Sequence, residues 1–291
     1  MFEAFFTYEF LQNAAVTGLL IGLVAPLLGV FIVIRRLSLI ADALSHITLT
    51  GIAASLLIEK KVSVINDWNP IYMGMAFSVV GAVLIERIRK AYKNFEELAI
   101  PIILSGGIGL GVLLISLADG FNTDLFGYLF GSVAAVSRSN MWTVLWITVF
   151  VILLVFLFYK ELFALSFDEE HARVTGVKGK WINLLFILLV ALVIASSLQI
   201  VGILLVSALM TLPVASALKL VKSFKQAIFL SIFLGETAVI VGILSAYHLG
   251  VPPGGNIVMV AILILIVTLA YKKVNKKIRI KKSNKNIEQS T

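Results

Sequence analysis

RRLSLIADALSH, residues 35–46, lies between two long apolar runs, and its reading decides how this chain folds. Two arginines close the first run. A carboxylate, Asp42, and an imidazole, His46, open the second. Apolar runs separated by short basic turns are the pattern of helices that cross a bilayer, because about 20 mostly apolar residues span its hydrocarbon core. Four residues apart on a helix, Asp42 and His46 share one face and can touch one ligand. At about 1.5 Å of rise per residue, His46 lies about 15 Å beyond Arg36, near the midplane of a ~30 Å core. Ionisable groups at that depth are costly and are kept for function or for pairing. A carboxylate oxygen beside an imidazole nitrogen suits a first-row divalent metal. The plainer reading of the pair is a hydrogen-bonded tie between helices.

Composition extends this pattern to the whole chain. Of 291 residues, 60% are hydrophobic and 14% charged, and the mean hydropathy is +1.03. Soluble domains average about 25% charged residues, so the deficit excludes a soluble class. The sequence predicts an all-α, polytopic membrane protein of about nine transmembrane helices, over 13–34, 39–58, 70–88, 99–118, 141–159, 181–198, 200–218, 226–248 and 255–271. The sixth and seventh are parted by the polar stretch Ser196-Ser197-Leu198-Gln199. The run 125–136 is too short to span and reads as a re-entrant or interfacial helix after Asp124.

Basic residues orient these spans. With the N-terminus outside, Arg35, Arg36, Arg87, Arg89, Lys90, Lys93, Lys160, Arg173, Lys178, Lys180, Lys219, Lys222 and Lys225 fall on the cytoplasmic side, with the eight of the tail. Only Lys60, Lys61 and Arg138 of the 24 lysines and arginines fall outside. That asymmetry predicts an outside N-terminus and a cytoplasmic C-terminus. The N-terminus lacks a basic n-region, so no cleaved signal peptide is expected. The organisation is a transmembrane domain over 1–271, with a cytoplasmic loop at 160–180, and a basic tail over 272–291. That tail reads as disordered and lipid-facing. Its charge does not make a nucleic-acid arm, because the remaining positive charge is confined to short loops.

Chemistry narrows quickly. No cysteine is present, so neither disulfides nor thiolate metal sites are possible. The imidazoles are His46, His171 and His248. Glu236 is the other deep carboxylate, and reads either as a third ligand or partner for His46, or as part of a helix contact. His248 ends the same helix beside GVPPGG and reads as an interfacial residue capping the loop, ahead of a ligand at the entrance. Glycines four apart, Gly18 and Gly22, Gly107 and Gly111, Gly127 and Gly131, predict close helix approach. SGGIGLG, residues 105–111, lacks the Lys-Ser or Lys-Thr of a phosphate loop and lies within a span. No HExxH occurs, which argues against an intramembrane hydrolase. Pro26 and Pro213 interrupt corresponding spans, a faint sign of the broken helices of transporters. The loop around Phe167–Val174 reads as a short amphipathic helix ending at Gly176, either a partner-binding element or a plain connector.

Several strings together resemble the permease subunits of metal-ion ABC importers of the zinc and manganese type: RRLSLIADALSH (35–46), DLFGYLFGSVAAVS (124–137), SFDEEHARVTGV (166–177), QIVGILLVSALMTLPVASA (199–217) and PPGGNIV (252–258). The resemblance covers nearly the full length apart from the tail. It implies a permease that pairs with a second copy of itself, docks a pair of cytoplasmic ATP-binding subunits, and receives Zn2+ or Mn2+ from an extracytoplasmic metal-binding protein, with a lean toward zinc. It implies that the chain is not itself an enzyme and carries no bound cofactor. Asp42 and His46 match the family's intramembrane metal positions. The loop with Phe167, Asp168, Glu169, Glu170, Ala172, Arg173 and Gly176 is similar to the helix that couples to the ATPase. Read from residues alone, the rival is a proton- or sodium-coupled secondary transporter using Asp42, His46 and Glu236 as a relay.

Overall fold

The computed structural model describes residues 8–61, 69–92, 94–118, 123–132 and 135–288. Among these, the secondary structure is helical throughout. The helices are α1 (Glu9–Ile34), α2 (Leu39–Lys61), α3 (Pro70–Ala91), α4 (Ala99–Leu117), α5 (Thr123–Phe130), α6 (Arg138–Leu157), α7 (Tyr159–Phe167), α8 (Glu169–Val174), α9 (Gly179–Val201), α10 (Ile203–Leu220), α11 (Phe224–Leu249) and α12 (Pro253–Glu288). Eight are long and apolar enough to cross a membrane, and Leu205–Leu220 forms a shorter apolar helix. All nine expected spans are therefore helices.

Burial sorts them into layers. The apolar stretches of α1 and α9 are 72% buried against 17% for that of α12, so the first two are the axis and α12 lies outermost. α2 is wedged between α3 and α4, α11 packs along α1, and α12 packs on α10 and α11. Small residues permit the closeness. Gly51 faces the Met73 carbonyl, and Gly107 and Gly111 face Ile47 and Thr50. Gly18 and Gly22 face Val239 of α11. The third glycine pair behaves otherwise: Gly127 faces open space, and Gly131 leaves the helix at φ 78°.

The corner 34–37 explains why the first run stops at the arginines. The Leu37 N–H donates to the Ile32 carbonyl at 2.9 Å and the Arg36 N–H to Val33 at 3.1 Å, the paired bonds of a Schellman ending. Arg36 occupies the left-handed position usually held by glycine, at φ 57°, which costs about 1–3 kcal/mol. Pro26 and Pro213 both lie inside unbroken helices. A proline removes one N–H from the ladder, that which the Gly22 carbonyl would accept. Gly235 of α11 packs against that carbonyl and the Pro26 ring.

Two boundaries differ from the sequence reading. α9 runs through Ser196 and Ser197 and ends at Val201, with the break at Gly202 (φ 83°). The serine hydroxyls donate back to the Val193 carbonyl, Ser196 at 3.0 Å and Ser197 at 2.6 Å, so they sit in the helix at no unpaired cost. At the C-terminus the backbone stays helical to Glu288, an extension of the last span where composition predicts a disordered tail.

Three helix ends meet at that break. A Cβ on Gly202 would lie 2.5 Å from the Leu129 carbonyl and 2.7 Å from the Gly131 nitrogen. A Cβ on Gly131 would collide with the Ile200 carbonyl, and one on Gly254 with that of Val201. α5, the α9–α10 break and the start of α12 thus approach one another backbone to backbone.

Candidate functional site

Asp42 stands in the first turn of α2, half-buried, and lines a cavity of about 510 Å³. The other walls are Val33, Ser38 and Leu39 at the α1–α2 corner, Ser207, Ala208 and Thr211 on α10, and Val258 and Ile262 on α12. The carboxylate therefore opens onto a space edged by hydroxyls and aliphatic carbons. His46 is one turn further along the same face and also half-buried. The turn that carries His46 is pinned: Thr50 Oγ1 lies 2.9 Å from the His46 carbonyl and 2.8 Å from that of Gly107, sharing its proton between α2 and α4.

Glu236 and His248 do not join this pair. Among the described residues no three His, Asp or Glu side chains stand close enough to hold one metal ion. Glu236 faces α1, where a Cβ on Gly22 would lie 3.2 Å from its carboxylate carbon, and its buried Oε2 has no hydrogen-bond partner. His248 is exposed at the end of α11, its ring edge-on to Tyr247 at 5.8 Å. A three-member Asp–His–Glu relay is thus not assembled among the described residues, and Glu236 takes the helix-contact place. Ser207 and Thr211, missed by the sequence reading, are cavity-lining hydroxyls. Their four-residue spacing in an apolar run is the signal that marks them. Thr211 Oγ1 donates to the Ser207 carbonyl at 2.9 Å.

The loop after α7 forms a second feature. Asp168 breaks the helix in an extended conformation and caps α8, its Oδ1 accepting the His171 N–H at 2.9 Å. α8 ends in another Schellman bond, Val177 N–H to the Ala172 carbonyl at 3.0 Å, with Gly176 at φ 89°. Ala172 is fully buried, so it anchors α8 to the bundle. Phe167 (61% exposed), Val174 (87%), Asp168 and Glu170 face outward, and Glu169 is half-buried. The Arg173 side chain lies outside the described residues. Phe167 also packs edge-on to Phe224 at 5.9 Å, and Phe224 to Phe31 at 5.2 Å, so the loop is continuous with the core.

A profile of the ABC 3 transport family matches residues 7–272. The chain is 35% identical over 270 residues to the manganese transport system membrane protein MntC of Listeria monocytogenes, covering 92% of this chain and 93% of that one. It is 35% identical over 261 residues to the manganese import system permease protein ScaB of Streptococcus gordonii, covering 90% and 91%. Among solved structures, PsaBC from Streptococcus pneumoniae in complex with a Fab superposes with a TM-score of 0.79 at 32% identity, over 92% of this chain and 93% of that one.

Proposed function

Because the chain belongs to the ABC 3 transport family, we propose that it is the permease through which a divalent transition metal, manganese ahead of zinc, enters the cell, driven by ATP hydrolysis on separate subunits. It is a multi-pass helical permease of the plasma membrane. The observation that carries the metal assignment is Asp42 facing a cavity with His46 one turn away. A carboxylate oxygen and an imidazole nitrogen suit manganese and zinc alike. The names of the relatives favour manganese over the zinc to which the sequence reading leans. Two donors are too few for a four- or six-coordinate ion, and a second copy of the chain would bring two more. An incomplete set also suits transit, since an ion in a conduit must bind weakly enough to leave.

In the same reading, α8 seats in a pair of cytoplasmic ATP-binding subunits, and an extracytoplasmic metal-binding protein delivers the ion. The basic ends of the helices face the cytoplasm, with the C-terminus. A cysteine placed at Ser283 is then shielded from an impermeant thiol reagent in intact cells, and ready labelling would reverse the orientation. The test of the transit site is Asp42→Asn, which keeps the shape and removes the charge. Manganese uptake is expected to fall by at least about tenfold, the low end of what disturbing a metal's ligand set costs, with the ATPase subunits still bound. Uptake at the wild-type rate across a range of concentrations would return Asp42 to a tie between helices.

A further inference from the structure

Phe224 is the first residue of α11, placed there by Ser223, whose hydroxyl accepts the Gln226 N–H at 3.3 Å as the helix cap. Its ring, half-buried, is where four others meet. Three belong to α7, in which Tyr159, Phe163 and Phe167 recur every four residues and so share one face. Their centroids stand 6.2, 5.0 and 5.9 Å from that of Phe224, with the Phe163 and Phe167 rings in edge contact. The fourth is Phe31 of α1, also in edge contact, at 5.2 Å. One side chain thus joins the helix that leads into α8 to the helix that ends at the arginine corner.

Beyond Phe31 the packing is tight. Phe31 is fully buried and meets Phe186 of α9 at 6.0 Å. The Arg35 guanidinium lies over Phe186 at 5.4 Å, a cation–π contact, and its Nη2 donates to Oδ1 of Asn183. The Phe31 carbonyl accepts the Arg35 N–H at 3.0 Å, at the start of the corner. Phe224 and Val33 both pack against the cluster of Val30, Val214 and Ala227, and Val33 lines the Asp42 cavity. A path of side chains in contact therefore runs from Phe167, beside the exposed loop, through Phe224 to the wall of the transit cavity. Close-packed interiors yield little and pass a displacement on, and packed routes of this kind carry coupling between distant sites. The plainer role of aromatic rings at helix ends is a belt at the membrane surface. Belt rings stand toward the headgroups, whereas these converge on one ring shared by α1, α7 and α11.

We propose that Phe224 is a positioning residue for transport: its ring is the joint through which movement of the docking helix α8 reaches α1 and the wall of the Asp42 cavity. The inference rests on the reading of α8 as the ATPase dock. The experiment uses the whole transporter, permease with its ATPase subunits in liposomes, supplied with its metal-binding protein. It reads manganese ions imported per ATP hydrolysed, together with retention of the ATPase subunits. Phe224→Leu keeps an apolar side chain and removes the ring. It should lower the ratio on the order of tenfold, within the usual range of coupling between sites, with the subunits retained. Phe224→Tyr, which keeps the ring, should recover most of the ratio. Phe163→Leu should give a smaller loss in the same direction. Phe163→Leu combined with Phe224→Leu should be no worse than Phe224→Leu alone, because the two act through one contact. Phe229→Leu removes a ring that is 75% exposed on the same helix and should leave the ratio as it is. A Phe224 that only packs would cost assembly or thermal stability and leave the ratio of the assembled transporter at the wild-type value. An unchanged ratio in Phe224→Leu, an equal loss in Phe229→Leu, or losses that multiply in the double variant would overturn the proposal. Where Phe224→Leu fails to assemble, Phe163→Leu decides, and a wild-type ratio there overturns it. Glu170→Lys/Val174→Asp, on the exposed face of α8, tests the dock by itself. Retained subunits and a normal ratio in that variant would remove the dock and the joint with it. Subunits lost there, beside an unchanged ratio in Phe224→Leu, remove the joint alone.

Discussion

Asp42 and Glu236 are both carboxylates set in apolar membrane helices, and their surroundings have nothing in common. Asp42 opens on a cavity edged by Ser38, Ser207 and Thr211, with an imidazole one turn away. Glu236 is pressed against Gly22 of the neighbouring helix, with one oxygen buried and unpartnered. The first has space, a second donor and hydroxyls, all of which a passing cation needs. The second is packed against a neighbouring helix. Depth in a membrane makes a carboxylate expensive in both places, and only Asp42 of the two lines this open space.

The largest effect expected from this contrast is at the imidazole. His46→Ala should reduce manganese uptake by about tenfold or more, and the same transport rate as wild type would dissolve the pair. Next comes the space itself. Ala208→Leu puts three carbons into the cavity wall opposite Asp42, and overpacking costs about 1–3 kcal/mol. Uptake should fall several-fold while the protein still reaches the membrane, and unaltered uptake would show that ions do not use this cavity. A smaller change is expected on the other side of the comparison. Gly22→Ala brings a methyl to 3.2 Å from the Glu236 carboxylate and from Val239, which should lower thermal stability by about 1 kcal/mol. Adding Glu236→Ala should restore it, and a loss that persists in the double variant would place the strain elsewhere. The smallest effect is expected for Glu236→Gln: uptake within about twofold of wild type, as for a substitution away from the site. Loss of transport there would return Glu236 to the ion's path and break the contrast.

Legibility followed the same division. Eight of the nine expected spans could be read because each is a run of about 20 apolar residues, while the seventh is matched by the shorter helix Leu205–Leu220. Asp42 and His46 could be paired because a four-residue interval fixes their face whatever surrounds the helix. Glu236 could not be set apart from them, since its rise along the helix measures depth while its direction is set by which neighbour offers a groove. Here Gly22 offered it. The α9–α10 boundary went astray at Ser196 and Ser197 because hydroxyls that bond back to Val193 cost a helix little, so polarity there was no stop signal. The inward turn of Arg35 onto Asn183, 148 residues away, was hidden for the opposite reason. A basic residue at a span's end ordinarily snorkels toward water.

The joint of Gly131, Gly202 and Gly254 has a bearing on how this chain can vary over time. Contacts between side chains can drift by compensating exchanges of volume, whereas main chain meeting main chain offers nothing to exchange. Length is then what is protected. One residue inserted into α5, at the end of α9 or ahead of α12 would swing a methyl-bearing Cα into a carbonyl, and no second substitution nearby could make room. Connections such as that between α3 and α4, exposed along its described residues, lie outside this lock. Insertions and deletions among relatives should collect in those outer connections and be missing at the three glycines, so the joint serves as a fixed register mark from which the helices on either side are counted.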